Sequence, residues 1–521
     1  MNTKLNKEYL VKNHRITGRP FINIIEQNIT NIEEDCFSCH EYSTDFNTSA
    51  LNRFLNNLES LNLNQNQIND IPANAFKDLI NLLKINFSNN LIRFLEENIF
   101  VGLINLKEIY FQNNQIQIIP ENIFLGLFNL KKIDFSNNQI NELNEKVFHG
   151  LVNLSEIDLS NNQMETIPEN IFQRLLNLTK INFSNNQIIQ LNEKLFYDLV
   201  NLSEIDLSNN QIDTIPEYIF HGLLNLKSVN LNNNRLRQIN RDVFYNRIIK
   251  ILLSGNAIKE IHFLRGLTQL EFLNLSNNRI NQIKPDDIRD LKSLNEIDLS
   301  YNQIQELSKT IYIYLNKLVK LNLSNNQLRI IQKNEIFCLK TLTHLNLNKN
   351  QIEEIDDEAF SSSIQPINSY IMLTNDQPFR GQSNLIELDL SNNRIQLLKK
   401  NTFRGLTSLN NLNLSFNKIT EIFENEFHFL VNLKHLSIND NQIMHIHSDA
   451  FRGLVELRRI EMFNNKLFVN NSDIFLYFEE DFDLKNIFIN NQENDSNQKS
   501  IINKVRNIYF LILKYLYKIN Y

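Results

Sequence analysis

Hydrophobic and polar positions repeat along this chain with a period of 24 residues, and each period contains one short alternating stretch. In the period that contains Asn138, the apolar Ile133 and Phe135 flank the polar Asp134. Alternation with a period of two predicts a short β-strand with one buried face. Because every period carries the same stretch, we expect the strands to stack in parallel, about 4.8 Å apart.

A phenylalanine stands at a fixed place in the second half of each period, where the chain must return to the start of the next strand. Its apolar neighbours indicate that the ring points inward. We expect these rings to stack into a spine beneath the outer surface: Phe76, Phe100, Phe124, Phe148, Phe172, Phe196, Phe220 and Phe244.

An asparagine follows each predicted strand, where the chain must turn inward. A side-chain amide can bond both N–H and C=O groups of neighbouring turns, and losing such a partner costs roughly 1–3 kcal/mol. We therefore expect a structural ladder of asparagines: Asn66, Asn90, Asn114, Asn138, Asn162, Asn186, Asn210, Asn234, Asn256, Asn278, Asn302, Asn326, Asn350, Asn393, Asn417, Asn441 and Asn465.

The full repeat has the register L-x-x-L-x-L-x-x-N-x-L in seventeen clear units, and Asn201–Phe220 shows the longer motif NLSEIDLSNNQIDTIPEYIF. This pattern resembles the leucine-rich-repeat family in its 24-residue "typical" subtype, which includes Toll-like receptor ectodomains, Slit proteins and small leucine-rich proteoglycans. The resemblance implies an α/β solenoid. Its expected form is a horseshoe with a concave parallel β-sheet and a mostly irregular or short-helical convex side.

Departures from the period divide the chain into four segments. Decayed terminal repeats are expected because an end turn has only one neighbour. The segments are a basic N-terminal stretch (1–21), a degenerate first repeat with a polar insertion after Phe37 (22–57), the solenoid with its degenerate last repeat (58–492), and a polar linker with a basic amphipathic helix (493–521).

One step of 43 residues, between Asn350 and Asn393, interrupts the period. It has two interpretations, an insertion or a worn repeat near 367–380 with a shortened outer segment. The match of Ile367, Tyr370 and Met372 to the strand positions favours the worn repeat.

The C-terminal segment 499–521 carries apolar residues at helical spacing between basic residues. We favour a helix that caps the last turn. A helix lying on a membrane surface is the less favoured alternative.

Composition narrows the choice of compartment and partner. The chain has 521 residues, 42% of them apolar, and its net charge of −7 argues against nucleic acid as a partner.

The family resemblance implies an extracellular or cell-surface location. However, no secretory signal, membrane-spanning run or disulfide cap is visible among these residues, which favours a cytoplasmic location. Both alternatives stay open at this point.

One short motif carries possible cofactor chemistry. Cys36, Cys39 and His40 match the haem-attachment pattern C-x-x-C-H. The motif has three interpretations: a haem attachment site, a local disulfide or zinc site, or no role at all. Since nothing else in the chain supports a bound group, we predict no cofactor and no metal. The usual phosphate-binding, nucleophile-elbow and zinc-protease motifs are also missing, so we predict that the protein is not an enzyme.

The predicted concave face has a regular polar background, in which one column alternates lysine and glutamate from Lys84 to Glu204. We interpret this column as a self-neutralising ladder. Large apolar residues interrupt the background, and exposed apolar anchors on a polar face are typical of binding hot spots. The candidate ligand-binding residues are Leu252, Phe272, Tyr301, Tyr110 and Phe416. Two steps of the asparagine ladder, from Asn234 to Asn256 and from Asn256 to Asn278, are only 22 residues long. For Leu252, Phe272 and Tyr301, the alternative is that they fill gaps left where these shorter turns distort the sheet.

These patterns predict a non-enzymatic protein that binds a protein or another macromolecule along its concave face. The resemblance implies a receptor-ectodomain, adhesion, matrix or signal-transduction role. The alternative is an intracellular scaffold or regulatory adaptor built from the same repeats. Nucleic acid is not an expected partner, and membrane contact through residues 499–521 is disfavoured.

Overall fold

A computed structural model describes residues 3–13, 21–33, 36–37, 51, 53–306, 314–332, 339–360, 384–467 and 487–488. The predicted worn repeat near 367–380, the segment 499–521, Cys39 and His40 lie outside these residues. The chain forms two compact units, Met1–Ile258 (unit 1) and Lys259–Tyr521 (unit 2).

Unit 1 begins with a small parallel pair of strands, β1 (Thr3–Leu5) and β3 (Ile29–Ile32), and helix α1 (Lys7–Asn13) follows β1. Its main sheet is parallel and places one strand from each turn beside the next. In order, the strands are β2 (Phe21–Asn23), β4 (Ser60–Asn62), β5 (Lys84–Asn86), β6 (Glu108–Tyr110), β7 (Lys132–Asp134), β8 (Glu156–Asp158), β9 (Lys180–Asn182), β10 (Glu204–Asp206), β11 (Ser228–Asn230) and β12 (Lys250–Leu252).

Unit 2 repeats this architecture. It has a 3₁₀ turn (His262–Leu264), a one-turn helix α2 (Pro285–Ile288) and two outer strand pairs, β16 (Ile330–Ile331) with β18 (Glu354–Ile355) and β21 (Glu421–Ile422) with β23 (His445–Ile446). Its main parallel sheet contains β13 (Phe272–Asn274), β14 (Glu296–Asp298), β15 (Lys320–Asn322), β17 (His344–Asn346), β19 (Glu387–Asp389), β20 (Asn411–Asn413), β22 (His435–Ser437), β24 (Arg459–Glu461) and β25 (Ile487–Phe488).

The predicted parallel β-solenoid is therefore confirmed within each unit. The register explains why it forms. The central residue of each strand, such as Ile133, is buried, while its two neighbours are at least partly exposed. Lys132 pairs with Glu156 and Ile133 with Ile157, so each position of the repeat becomes a column across the sheet. We call the solvent-facing side of each main sheet the sheet face; it is the side that the sequence predicts to be concave.

The turn after each strand is held by an asparagine amide. The Asn162 Nδ2 group donates to the carbonyl oxygens of Phe135, Leu159 and Ser160 at 3.0–3.1 Å, and its Oδ1 accepts from the Ile140 N–H at 3.0 Å. The same contacts recur at most positions of the predicted ladder, for example at Asn90 and Asn417. One amide thus links the backbone of adjacent turns.

The residue before the ladder asparagine adopts a left-handed backbone conformation. It is an asparagine in most turns, with φ of 55° at Asn89 and 56° at Asn137. Asparagine tolerates this region better than other residues with a Cβ, because its short side chain can hydrogen-bond locally.

Phenylalanine rings stack below the outer surface. Neighbouring rings lie 6.4 Å apart at Phe100 and Phe124 and 6.2 Å apart at Phe196 and Phe220, with nearly parallel planes. A second stack of Phe87, Phe111 and Phe135 lies behind the strands at spacings of 5.1 and 5.0 Å. The rings fill the space between the sheet and the outer segments.

The outer segments of unit 1 carry a second asparagine ladder. Asn129 Nδ2 donates to the Ile104 carbonyl at 3.0 Å, and Asn153 Nδ2 donates to the Phe128 carbonyl at 2.8 Å. The residue before each outer asparagine points into solvent and is apolar in seven successive turns. We call these residues the apolar row: Ile80, Ile104, Phe128, Val152, Leu176, Val200 and Leu224.

Helices contribute little to either unit. Within the part of the chain that the structure describes, no helix has the length and apolar character needed to cross a bilayer.

Candidate binding face of the sheet

The outermost column of the sheet face in unit 1 alternates in charge, and its charges pair. Nζ–Oε2 distances are 3.0 Å for Lys84–Glu108, 2.8 Å for Lys132–Glu156 and 3.0 Å for Lys180–Glu204. The hydrogen bond that Lys132 donates to the Glu156 carboxylate raises the pKa of Lys132. Because these side chains remain partly solvated, each pair contributes at most about 1 kcal/mol. The charges of this column therefore largely cancel one another.

Tyr110 is embedded in this background. Its hydroxyl donates to Glu108 Oε2 at 3.0 Å, and Lys84 Nζ lies 4.5 Å from the ring centroid. Burial and the neighbouring Glu108 raise the pKa of Tyr110. Burial also acts on Glu108, but hydrogen bonds from Lys84 and Tyr110 outweigh it and lower the pKa of that carboxyl. Tyr110 is thus a half-buried side chain tied to charged neighbours.

The next exposed column of unit 1 holds aspartates whose carboxylates already accept hydrogen bonds from neighbouring residues. Asp158 Oδ1 accepts from the backbone N–H of Ser160 at 2.9 Å and from its hydroxyl at 2.7 Å. Burial raises the pKa of the equivalent Asp134, and the hydrogen bonds from Ser136 offset part of that effect. This column, together with the charged column, surrounds a depression of about 360 Å³ that extends from Lys132 to Leu252. Leu252 is half-buried on its last strand.

The sheet face of unit 2 contains a depression of about 400 Å³ that spans five strands, from β14 to β20. Polar side chains line it. His344 Nε2 lies 3.7 Å from Glu387 Oε2, and the His344 Nδ1 lies 2.7 Å from the Thr343 hydroxyl. Asn411 Nδ2 donates to Glu387 Oε1 at 3.1 Å. His344, Glu387 and Asn411 thus form a row across the strands that offers both hydrogen-bond donors and acceptors.

Two of the predicted aromatic residues come shortly after strands of this depression in the chain, although neither lines it. Tyr301 follows β14 and Phe416 follows β20, the first and last strands of the depression. They are 56% and 52% exposed, respectively. Neither lies on a strand, because both occupy the left-handed turn position, with φ of 53° and 54°. The sequence pattern identified them as unusual but did not show this backbone conformation.

The candidates Leu252, Phe272 and Tyr301 do not all lie in the same unit. Leu252 belongs to unit 1, whereas Phe272 and Tyr301 belong to unit 2. Phe272 is half-buried on β13 and stands in register with Glu296 of β14. Each of these residues is therefore assigned to the face of its own unit.

Sequence reasoning missed a three-residue cluster on unit 2. Potential metal-ligating atoms of Glu424, His447 and Asp449 lie within 4.8 Å of one another. A signal existed, since Glu424 precedes His447 and Asp449 by about one 24-residue period, and the solenoid places such residues side by side. The cluster is largely exposed, and the Asp449 N–H already donates to His447 Nδ1 at 3.2 Å.

A buried carboxyl close by was also missed. Glu426 is 1% exposed and stands where other turns have Val147 or Ile171. Neither carboxyl oxygen has a well-formed hydrogen bond to the described residues. Burial raises its pKa to about 8, and the backbone of Phe423 offsets only part of this.

Cys36 is the one member of the C-x-x-C-H pattern that the structure describes. Its thiol is free and 1% exposed. Burial and the neighbouring Glu33 raise its pKa, so the thiol stays neutral.

The repeated strands, the asparagine amides and the polar sheet face together define a leucine-rich-repeat solenoid. A family model described as "Leucine rich repeat" matches residues 56–116, 104–164, 247–304, 293–352, 368–419 and 407–467. A second model, "BspA type Leucine rich repeat region", matches residues 141–264 in six copies. These matches cover more than half of the chain, which therefore belongs to the leucine-rich-repeat family. No curated protein matches it.

Solved structures share the fold at low identity. The leucine-rich-repeat protein LIC12759 of Leptospira interrogans is 23% identical with a TM-score of 0.59, over 92% of this chain and 99% of that one. The plant peptide hormone receptor RGFR1 is 23% identical with a TM-score of 0.61, over 80% of this chain and 64% of that one. The ectodomain of the Arabidopsis thaliana receptor kinase GASSHO1/SCHENGEN3 is 23% identical with a TM-score of 0.57, over 86% of this chain and 52% of that one. This chain therefore spans less than two thirds of either plant receptor chain.

Proposed function

We propose that this chain is a non-enzymatic binding protein that holds a protein ligand across the sheet face of unit 2. The observation that carries the proposal is the pair of exposed aromatic residues, Tyr301 and Phe416, on the turns that follow the first and last strands of one depression. Leucine-rich-repeat folds are typically binding scaffolds, which agrees with a role without catalysis.

Backbone conformation supports a functional role for the two aromatic residues. The left-handed region costs an ordinary L-residue roughly 1–2 kcal/mol, and most equivalent turns avoid much of that cost by using asparagine. Tyr301 and Phe416 accept the cost and also expose about half of their surface. Strain that the fold does not require is typical of positions kept for binding.

The dimensions favour a macromolecular ligand. Five adjacent strands extend over roughly 19 Å, the length of about six residues of extended chain. The depression lies on an open face and is lined by Glu296, Lys320, His344 and Glu387. Two exposed aromatic residues on the turns of the outermost strands, together with the hydrogen-bonding row on the strands, suit a protein segment that has both apolar and polar side chains.

Charge disfavours nucleic acid as the ligand. Acidic residues line the depression at Glu296, Asp298, Glu387 and Asp389, against one lysine, Lys320. Phosphate groups would meet net repulsion there. Two of the similar structures are described as complexes, RGFR1 with RGF2 and GASSHO1/SCHENGEN3 with CASPARIAN STRIP INTEGRITY FACTOR 2. These descriptions concern those proteins, and they support a protein or peptide ligand here only as a proposal.

The family resemblance favours a receptor-like, adhesion or matrix role, with an intracellular scaffold as the alternative. Thiol alkylation does not distinguish them at Cys36, because a buried, neutral thiol reacts slowly in either compartment. Glycans on protein from its native cells would exclude the scaffold. A cytosolic partner captured at the sheet face would support it.

Site-specific photo-crosslinking tests the proposed face. A photoreactive phenylalanine analogue is placed at Tyr301 or Phe416 of the full chain, in cells that produce the protein. Matched controls carry it at Lys349, which has the same turn conformation within the depression's span, and at Val455 on the outer surface.

We expect one protein species to be captured from positions 301 and 416, weakly from 349, and not from 455. Capture mainly from position 455, or equal capture from all four positions, would contradict the proposed face. Capture of nucleic acid instead of protein would contradict the proposed ligand class.

A further inference from the structure

The apolar row of unit 1 is a continuous exposed surface. Its seven side chains are between 38% exposed, at Val200, and 60% exposed, at Phe128. Neighbouring spine rings are about 6.2 Å apart on this side, so six steps give a row roughly 37 Å long. Val101, Leu125 and Tyr197, three residues before row positions in their own turns, widen it.

The fold does not require apolar residues at these positions. In unit 2 the equivalent positions are polar at Thr268, Lys292, Asn316, Lys340 and Thr407, and apolar only at Val431 and Val455 among the turns that the structure describes. The Thr407 carbonyl accepts from Asn432 Nδ2 at 2.7 Å, as row carbonyls do from their outer asparagines. The turn therefore forms equally with a polar side chain, and seven apolar residues in succession need another explanation.

The row is also rigid. The carbonyl groups of Ile80, Ile104, Phe128, Val152 and Leu176 each accept a hydrogen bond of 2.8–3.0 Å from the outer asparagine of the following turn. A surface held in place by its backbone loses little conformational entropy on association. This arrangement favours a preformed interface.

We propose that the apolar row is a homodimer interface, in which a second copy of this chain packs its own row antiparallel against the first. Every turn repeats the same spacing, so two rows related by a two-fold axis present apolar side chains to each other at matching intervals. The row and its flanking residues expose on the order of 700–1,000 Å² per copy, which is close to the roughly 800 Å² per partner of a standard interface.

Charge on the same outer segments argues against a lipid surface as the occupant. Seven residues before each of six row positions stands a glutamate, and together they form an acidic column: Glu97, Glu121, Glu145, Glu169, Glu193 and Glu217. Such a column is repelled by anionic headgroups. Between copies, contact through the row itself involves uncharged side chains.

Sedimentation velocity of the full chain, from about 0.5 to 50 µM, tests the proposal. The wild-type protein is expected to shift with concentration from the 61.6-kDa monomer to a species of twice that mass. The variant Phe128→Lys plus Leu176→Lys copies the lysines that unit 2 carries at this position, so its turns are expected to fold. Its dimer dissociation constant is expected to rise by about 100-fold or more.

The matched control is Val431→Lys plus Val455→Lys, which places lysines at the same turn position of unit 2, where the valines are 40% and 52% exposed. We expect the control to dimerise like the wild type, and circular dichroism to show that all three proteins are folded. A wild-type protein that stays monomeric over the whole range would overturn the proposal. Dimerisation that survives the row variant, or is lost equally in the control, would also overturn it.

A vesicle-binding experiment distinguishes the homodimer from a contact between the apolar row and a lipid surface. The wild-type protein is sedimented with phosphatidylcholine vesicles and with vesicles that contain about 30% phosphatidylserine. Absence of binding to both agrees with the homodimer. Binding that depends on Phe128 and Leu176 while the protein in solution is monomeric would replace the homodimer with a lipid contact.

Discussion

At the scale of single residues, the exceptions to the repeat carry the most information. Ladder asparagines and buried leucines follow from the period, and their roles could be read from the sequence. Glu426 could not, because its burial depends on which column of the turn it enters. Tyr301 and Phe416 were recognisable as unusual, but their left-handed turn conformation appears only in the structure.

Replacing the buried Glu426 by valine is expected to stabilise unit 2 at neutral and alkaline pH. With a pKa of about 8 in the folded protein against 4.5 ordinarily, the folded state binds the proton more tightly than the unfolded state between these values. The wild-type free energy of unfolding therefore falls as pH rises from about 4.5 to 8, by on the order of 4 kcal/mol from this group. Urea unfolding of Glu426→Val and wild type at pH 5 and pH 8 measures it.

The stability gain of Glu426→Val should be several-fold larger at pH 8 than at pH 5. Glu424→Gln, which alters an exposed carboxyl two residues away, is the control and should show no such pH dependence. A gain that is equal at the two pH values would mean that Glu426 is not protonated in the folded protein at pH 5 to 8.

Phe416→Asn is expected to raise the free energy of unfolding by about 0.5–1 kcal/mol, because asparagine fits the left-handed turn better than phenylalanine. The reverse substitution in the preceding turn, Asn392→Phe, should destabilise by a similar amount. Both are measured by urea unfolding at pH 7. If Phe416→Asn destabilises the protein instead, the phenylalanine is a packing residue and the argument from strain fails.

At the scale of elements, the sequence predicts the strands well because several independent features mark the position of each one. An apolar centre, a following asparagine and a fixed distance to the next phenylalanine all point to the same register. The outer segments were less predictable, since they are mostly turns and lack the alternation of buried and exposed residues that marks a strand. The outer asparagines, such as Asn129, carry hydrogen bonds that only the stacking of turns reveals.

Removing one ladder amide tests how strongly adjacent turns are coupled. Asn162→Ala leaves the Ile140 N–H and the Phe135 and Leu159 carbonyls without their side-chain partner. We expect a loss of roughly 2–4 kcal/mol in the free energy of unfolding. Gln163→Ala changes the next, exposed residue and should cost less than about 0.5 kcal/mol. Equal effects of the two substitutions, measured by thermal and urea unfolding, would show that the ladder does not bind the turns together.

At the scale of the whole molecule, the residues that hold the repeated fold together are different from the residues that carry the candidate binding sites. The buried columns are nearly uniform, so they identify the family, while the exposed columns vary and carry the candidate sites. In unit 1 the variation appears on the outer surface as the apolar row. In unit 2 it appears as two exposed aromatic residues on the turns that follow the first and last strands of a depression. Neither site follows from the shared family motif, because both lie at positions where the motif does not fix the side chain.

The measurement that tests the central claim most directly is the affinity of the captured protein ligand for three versions of the full chain. These are the wild type, Tyr301→Asn plus Phe416→Asn, and the control Lys349→Asn, which introduces asparagine at the same turn position after a strand in the middle of the depression. Isothermal titration calorimetry gives the dissociation constants. We predict a loss of about 100-fold or more for the double variant and less than about 3-fold for the control. An unchanged affinity in a folded double variant would contradict binding at the sheet face of unit 2.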